Sequence, residues 1–127
     1  ISILIVEDNP VSLRLFNRII AKLGLSADTA LNGHDAVKKS RNKAYNLILM
    51  DNILPEKSGY EAALEIRESG KSRNAIIIGI SAGALRDGAG KLYDSAMNDF
   101  LVKPVKIDDV KDKIRKYFPG REAPARD

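Results

Sequence analysis

Asn46 to Asp51, with the sequence NLILMD, is the stretch that decides the fold. Its apolar residues form a continuous run, which is typical of a short strand buried on both faces of a sheet, and the run ends on a carboxylate. Two similar runs occur in the chain, Ile3 to Val6 before it and Ala75 to Ile80 after it. We therefore predict buried strands over Ile3 to Val6, Asn46 to Met50 and Ala75 to Ile80.

Helical patterns lie between these strands. Asn9 followed by Pro10 predicts a helix that begins with a side-chain cap and a proline in its first turn. An apolar stripe runs along this helix as far as Gly24, a residue type that commonly ends helices. The residues predicted to form the stripe recur every four positions or lie beside it: Val11, Leu15, Phe16, Ile19, Ile20 and Leu23.

The remaining predicted elements continue the alternation. They are, in chain order, a weak strand over Ser26 to Ala30, a helix over about 34–42, a helix over Gly59 to Ser69, a poor helix over about 84–96, a strand over Asp99 to Val102 and a closing helix over Ile107 to Phe118. Five strands alternating with five helices predict the α/β class, with a doubly wound five-stranded parallel sheet and helices on both faces. We expect one domain over residues 1–118 and a polar, disordered tail over residues 119–127.

The composition agrees with a single globular domain. Of 127 residues, 44% are hydrophobic and 30% charged, and no apolar run approaches the roughly 20 residues that span a bilayer. The absence of cysteine excludes disulfides and thiolate metal sites and agrees with a cytoplasmic location. The net charge of +4 comes from basic residues scattered over helix faces, so we expect no nucleic-acid binding and no membrane contact by this chain alone. Because the sequence starts at Ile1, we expect it to be a piece of a longer protein.

Reactive side chains follow four of the predicted strands. Glu7 and Asp8 come directly after the first strand, Asp51 after the third, Ser81 after the fourth and Lys103 after the fifth. The carboxyl ends of parallel strands lie along one edge of an open sheet, where ligands bind, so we expect these side chains to meet in one cleft. Taken alone, each has an ordinary explanation such as a helix cap or a surface lysine, but their joint placement favours a functional site.

The chemistry expected of this cleft is phosphoryl transfer. Three carboxylates stay ionised close together only when a cation compensates them, and a hard cation such as Mg²⁺ suits an all-oxygen site. Asp51 can then act as a nucleophile, because carboxylates form acyl phosphates. Lys103 would neutralise charge on the transferred group, and Ser81 would hydrogen-bond one of its oxygens.

Four motifs resemble those of one known family. They are the opening strand with its acidic pair, Ile3 to Asn9; the acceptor strand and loop, Leu47 to Asp51 with Leu54-Pro55 and Gly59 to Ala62; Ile80 to Ala82; and Asp99 to Pro104. Over about residues 2–118 the chain resembles the receiver domain of two-component response regulators, and most of all the receivers of hybrid histidine kinases. The resemblance implies the flavodoxin-like strand order 2-1-3-4-5.

The resemblance also implies a function and a partner. The domain would be a phosphoacceptor switch in a two-component phosphorelay, a signalling domain and not a metabolic enzyme. The phosphoryl donor would be a phosphohistidine on a histidine kinase or on a histidine phosphotransfer protein. The parent protein could be a hybrid histidine kinase and could be membrane-bound, and the alternative is a stand-alone regulator.

The family pattern assigns roles to the acidic residues. Asp51 would be the phosphoacceptor. Mg²⁺ would be bound directly by Asp8 and mostly through water by Glu7, with Asp51 and the backbone carbonyl of Ile53 as further ligands. Because Ile53 places an apolar side chain two residues after the acceptor, where it could hinder an attacking water, we hypothesise slow loss of the phosphoryl group.

The family pattern also assigns roles along the last two strands. Lys103 and Ser81 would assist the transfer. Ser81 and Phe100 would form a switch pair, in which the hydroxyl moves toward the phosphoryl group and the aromatic ring turns inward. The peptide bond between Lys103 and Pro104 would be cis.

Three other interpretations compete. An aspartyl-phosphate phosphatase or mutase usually needs a second aspartate two residues after the nucleophile, where this chain has Ile53. A flavin or nucleotide binder of the same fold needs a phosphate-cradling loop after the first strand, where Glu7 and Asp8 would repel phosphate. A degenerate receiver that only binds other proteins is the third, although all the key residues are present.

Overall fold

Five short parallel strands form one sheet in the computed structural model, which describes residues 1–82 and 96–120. The strands are β1 (Ile3–Val6), β2 (Ala27–Ala30), β3 (Leu47–Asp51), β4 (Ile76–Ser81) and β5 (Asp99–Val102). They are arranged β2-β1-β3-β4-β5, and every neighbouring pair is parallel. The α/β class, the parallel sheet and the 2-1-3-4-5 order are therefore confirmed.

Four helices are seen in the described residues. They are α1 (Pro10–Lys22), α2 (Gly33–Asn42), α3 (Gly59–Glu68) and α4 (Ile107–Tyr117). The helix predicted over about 84–96 lies outside the described residues except for Ala96, which is in a turn, and residues 121–127 of the predicted tail also lie outside them. Within residues 1–82 and 96–120, no helix has the length and apolar character needed to cross a membrane.

The two faces of the sheet bury separate apolar clusters, because alternate residues of a strand point to opposite faces. One cluster lies under α1 and α4 and contains Ile3, Ile5, Leu49, Ile78, Ile80, Phe16, Ile19, Ile20, Val110 and Ile114. The other lies under α2 and α3 and contains Leu4, Val6, Ile48, Met50, Ile77, Ala36, Val37, Ala62, Ala63 and Ile66. Burial on both faces explains why β1, β3 and β4 are continuous apolar runs.

The predicted apolar stripe of α1 is partly wrong. Phe16, Ile19 and Ile20 are buried as expected, but Val11 is 71% exposed and Leu15 is 44% exposed. A spacing of four residues advances about 40° beyond a full helical turn at each step, so a four-residue repeat drifts off the buried face. Val11 and Leu15 therefore lie on the solvent side of α1, beside the carboxyl edge of the sheet.

Arg67 of α3 connects the segments at the amino edge of the sheet. Its guanidinium donates hydrogen bonds to the carbonyl oxygen of Ala96 at 3.0 Å, to Oδ1 of Asn98 at 2.7 Å and to the carbonyl of Arg73 at 2.8 Å. Asn98 Oδ1 also accepts from the backbone N–H of Ile77 at 2.8 Å. The segment leading into β5 is thereby anchored to both α3 and β4.

Candidate functional site

The predicted site residues come together at the carboxyl edge of the sheet. Glu7 directly follows β1 and is 1% exposed, whereas the next residue, Asp8, is exposed. Asp51 is the last residue of β3 and is 4% exposed. Ser81 ends β4, and Lys103 directly follows β5. Strand positions, and not sequence proximity, bring these five residues into one cleft.

Three carboxylates form the floor of the cleft. Glu7, Asp8 and Asp51 each present a carboxylate oxygen, and these oxygens lie within 4.8 Å of one another. One oxygen of Glu7 accepts a hydrogen bond from the N–H of Asn9 at 3.1 Å, whereas Oε1 is buried and has no hydrogen-bond partner in the described residues. Burial, followed by the hydrogen bond to Asp51, raises the pKa of Glu7 to about 7. Close, poorly compensated carboxylates are the donor set that a hard divalent cation fits.

Lys103 is the cation of the cleft. Its Nζ lies 3.5 Å from Oδ2 of Asp51 and 3.7 Å from Oε1 of Glu7. Its backbone N–H donates to the carbonyl oxygen of Ser81 at 2.8 Å, which couples the end of β5 to β4. The Lys103-Pro104 peptide bond is cis, as predicted. The ammonium group is therefore placed to meet negative charge that arrives at Asp51.

Backbone contacts hold the loop after Asp51. The N–H of Ile53 donates to Oδ1 of Asp51 at 3.1 Å, and the N–H of Gly59 donates to the carbonyl of Asn52 at 3.1 Å. A Cβ at position 59 would overlap the carbonyl oxygen of Asp51, so only glycine permits this close approach. Ile53, two residues after the acceptor, is 74% exposed.

Ser81 and Phe100 lie on neighbouring strands. Phe100 pairs with Gly79 of β4, and Ser81, two residues later on the same face of β4, pairs with Val102. The ring of Phe100 is partly buried and packs against the apolar cluster under α2 and α3. The hydroxyl and the ring therefore share one face of the sheet, which a coupled movement of the two requires.

Sequence reasoning missed the exposed apolar surface of α1. A groove of about 360 Å³ runs beside the cleft, and its lining residues are Ser12, Leu15, Phe16, Lys103, Pro104 and Val105. The sequence does indicate this exposure, because four other residues already complete a buried face with helical spacing: Phe16, Ile19, Ile20 and Leu23. Val11 and Leu15 are not needed to form that buried face, so they could have been predicted as surface residues.

The chain is similar to receivers of histidine kinases. It is 35% identical over 122 residues to hybrid signal transduction histidine kinase G of Dictyostelium discoideum, covering 94% of this chain and 4% of the relative. It is 35% identical to the receiver domain of sensor histidine kinase PA1611 of Pseudomonas aeruginosa, crystallised with a magnesium ion in the active-site cleft. That match has a TM-score of 0.83 and covers 91% of this chain and 95% of the other.

A third similarity involves a complex. The chain is 31% identical, with a TM-score of 0.81, to a chain in the co-crystal structure of the Saccharomyces cerevisiae phosphotransfer protein Ypd1 and the receiver domain of Ssk1, covering 92% of this chain and 88% of that one. The response regulator receiver domain model matches residues 3–115. The fold, the acidic cleft and these similarities lead to one conclusion: the chain belongs to the response regulator receiver domain family and is a receiver domain of a two-component phosphorelay.

Proposed function

We propose that Asp51 is the residue that takes the phosphoryl group, and that a phosphohistidine on a histidine kinase or histidine phosphotransfer protein supplies it. The observation that carries this proposal is the placement of Asp51. Its carboxylate is buried at the end of β3, lies beside the carboxylates of Glu7 and Asp8, and has the Lys103 ammonium at 3.5 Å. This combination of nucleophile, acidic neighbours and one cation suits phosphoryl transfer.

The acidic residues would hold Mg²⁺. The Oε1 of Glu7, which has no hydrogen-bond partner in the described residues, and the close oxygens of Asp8 and Asp51 fit such an ion, and the similarity to a receiver crystallised with magnesium supports it. In our proposal Asp8 and Asp51 bind directly, Glu7 acts through water, and the backbone carbonyl of Ile53 completes the protein ligands. When bound, Mg²⁺ neutralises negative charge on the phosphoryl oxygens.

The transfer is a displacement at phosphorus. A carboxylate oxygen of Asp51 forms the new O–P bond while the P–N bond to the donor imidazole breaks, and the bonding electron pair returns to the ring nitrogen. Lys103 stabilises the charge of the transferred group, and the Ser81 hydroxyl donates a hydrogen bond to one of its oxygens. Ser81 moves toward the phosphoryl group and Phe100 turns inward. The surface around Phe100 therefore differs between the phosphorylated and unphosphorylated forms of Asp51.

The partner would dock on the exposed face of α1 and the groove beside it. Val11 and Leu15 are exposed apolar residues next to the cleft, and Pro104 lines the same groove. The similarity to a receiver from a complex with a phosphotransfer protein supports such a partner. We place the domain in the cytoplasm as one part of a hybrid histidine kinase, with no nucleic-acid or membrane contact of its own.

The test is phosphorylation of the purified domain by acetyl phosphate, with and without Mg²⁺, followed by intact mass. We expect one phosphoryl group that depends on Mg²⁺ and is lost in Asp51→Asn. Asp112→Asn, which removes an exposed acid of α4, is the matched control and should leave the modification unchanged. Asp51→Asn should also lose the modification when a phosphorylated phosphotransfer protein is the donor.

A degenerate binding module would behave differently. Absence of an adduct with both donors, together with no binding of Mg²⁺ or beryllofluoride, would contradict the proposal. An adduct that persists in Asp51→Asn would assign the acceptor to another residue. Release of phosphate from small phosphate esters in multiple turnovers would instead support a phosphatase.

A further inference from the structure

Gly79 of β4 lies next to the aromatic ring of Phe100, and neighbouring side chains pack closely against the place that a Cβ would take. It pairs with Met50 on one side and with Phe100 on the other, and it faces the cluster under α2 and α3. A Cβ built at position 79 would lie 2.5 Å from Sδ of Met97, 3.1 Å from Cδ1 of Phe100 and 3.3 Å from Oδ1 of Asn52. Three different side chains therefore converge on the place that a side chain at position 79 would occupy.

Met97 forms one wall of this space, and its backbone cannot easily retreat. Met97 is 5% exposed. The residues on either side of it are anchored, because Arg67 donates to the carbonyl of Ala96 at 3.0 Å and Asn98 exchanges hydrogen bonds with Ile77 at 2.7 and 2.8 Å. A side chain at position 79 would have to displace the thioether, and its Cβ would also contact the ring of Phe100 at 3.1 Å.

Asn52 forms a second wall and connects the space to the acceptor. It directly follows Asp51, is 8% exposed, and its N–H donates to the carbonyl of Ile80 at 3.0 Å. Its Oδ1 is buried and has no hydrogen-bond partner in the described part of the chain. The residue after the acceptor thus lies against the same space as the ring of Phe100.

We propose that Gly79 is a positioning residue of the switch: its missing side chain creates a seat, bounded by Met97 and Asn52, against which the Phe100 ring packs and into which it turns further when Asp51 is phosphorylated. This inference rests on the proposed function, because it concerns how Phe100 responds to Asp51. A Cβ at position 79 presses first on Met97 and then on the ring, so it hinders the inward turn of Phe100. Since coupling between two sites is reciprocal, hindering this turn also weakens binding of a phosphoryl analogue at Asp51.

The experiment labels the three phenylalanines with fluorine and compares wild type, Gly79→Ala, Met97→Ala and the double variant by fluorine NMR. Phe100→Leu assigns the Phe100 signal. In Gly79→Ala we expect this signal to move toward that of an exposed ring, and the Kd for beryllofluoride with Mg²⁺ to rise about tenfold. Met97→Ala makes room for the added methyl group, so the double variant should return to within about twofold of Met97→Ala.

The matched control is Ala36→Val. Ala36 is fully buried in the same cluster but lies on α2, which packs on β1, β2 and α3. The Ala36→Val variant should be less stable than wild type, without a change in the Phe100 signal or in the Kd for beryllofluoride. An equal rise of the Kd in Ala36→Val, no rescue by Met97→Ala, or an unchanged Gly79→Ala protein would each overturn the proposal.

The design separates this inference from the proposed function. If the wild type does not bind beryllofluoride, the proposed function fails, while the Phe100 signal of the ligand-free variants still decides whether the seat exists. If Gly79→Ala does not fold, recovery of folding in the double variant supports the seat. Failure of the double variant, where Met97→Ala folds, overturns it.

Discussion

Glu7 has a buried carboxyl group whose ionisation depends on its neighbours. Its pKa is raised to about 7, above the roughly 4.3 of glutamate in an unfolded chain, so the folded state holds a proton that the unfolded state releases. In metal-free buffer the contribution of this proton to the unfolding free energy is fully present below about pH 4.3. The unfolding free energy then falls by on the order of 3 kcal/mol as the pH rises to about 7. We expect Glu7→Gln to keep its stability over that range, so that the difference in unfolding free energy from wild type changes with pH.

The measurement is urea unfolding at several pH values in the presence of a chelator. Asp8→Asn is the matched control, because Asp8 is a neighbouring carboxylate that is exposed to solvent. It should retain the pH dependence of the wild type. Parallel curves for Glu7→Gln and wild type between pH 4.3 and 7 would show that Glu7 does not hold the extra proton.

Ile53 follows the acceptor by two residues, and its backbone N–H donates to the Asp51 carboxylate. The residue is 74% exposed, and its side chain offers no hydrogen bond to a water approaching Asp51. We expect Ile53→Asn to lose the phosphoryl group faster than wild type, because an amide can orient the attacking water. The check is the decay of the phosphorylated mass over time. A wild-type half-life of seconds would contradict the expectation that loss is slow.

At the scale of single elements, the start of α3 is where a helix and the acceptor meet. Gly59 is its first residue, and a side chain there would overlap the carbonyl of Asp51. Ser58 caps the same helix, and its hydroxyl accepts from the N–H of Glu61 at 3.1 Å. We expect Gly59→Ala to reduce phosphorylation of Asp51 strongly, because the loop must shift away from the acceptor.

Ser58→Ala separates this effect from simple helix loss. Removing the cap should cost about 1 kcal/mol of unfolding free energy and leave the phosphorylation rate close to wild type. The two variants are compared by denaturant unfolding and by phosphorylation with acetyl phosphate. If both lose phosphorylation in proportion to stability, the close approach of Gly59 has no specific role.

The elements show how far sequence reasoning reaches. The predicted limits of β1 and β5 match the observed ones, whereas β3 and β4 each begin and end one residue later than predicted, which places Asp51 and Ser81 inside the ladders. The gathering of the site residues was predictable because parallel strands share one carboxyl edge. The exposed side of α1 and the seat at Gly79 were not predicted, since they depend on the rotation of a helix and on contacts between side chains distant in sequence.

At the scale of the whole molecule, the distribution of charge distinguishes α1 from the rest. This helix carries Arg14, Arg18 and Lys22 and contains no acidic residue. Within residues 1–82 and 96–120, these three cations make no ion pair, whereas Lys39, Lys57 and Lys113 each pair with a carboxylate. The docking face proposed above is therefore cationic around its apolar residues.

This charge predicts an acidic partner surface. We expect phosphotransfer from a phosphorylated histidine phosphotransfer protein to slow at high salt, and the double variant Arg14→Glu/Arg18→Glu to reduce the association rate about tenfold or more at low salt. Lys38→Glu/Lys71→Glu makes the same change of charge at exposed positions away from α1 and should have a much smaller effect. Equal rates in the two double variants would show that net charge alone matters.

The cleft draws its residues from almost the full length of the domain, from Glu7 after β1 to Lys103 after β5. During synthesis on the ribosome, Asp51 emerges well before Lys103, and the pairing of β4 with β5 cannot form until the end of the domain has left the exit tunnel. The contacts that make Asp51 reactive are thus among the most distant in the chain, and domains dominated by such contacts fold slowly. We therefore expect a receiver truncated before Lys103 to accept a phosphoryl group poorly, so that signal reception begins only with the finished domain.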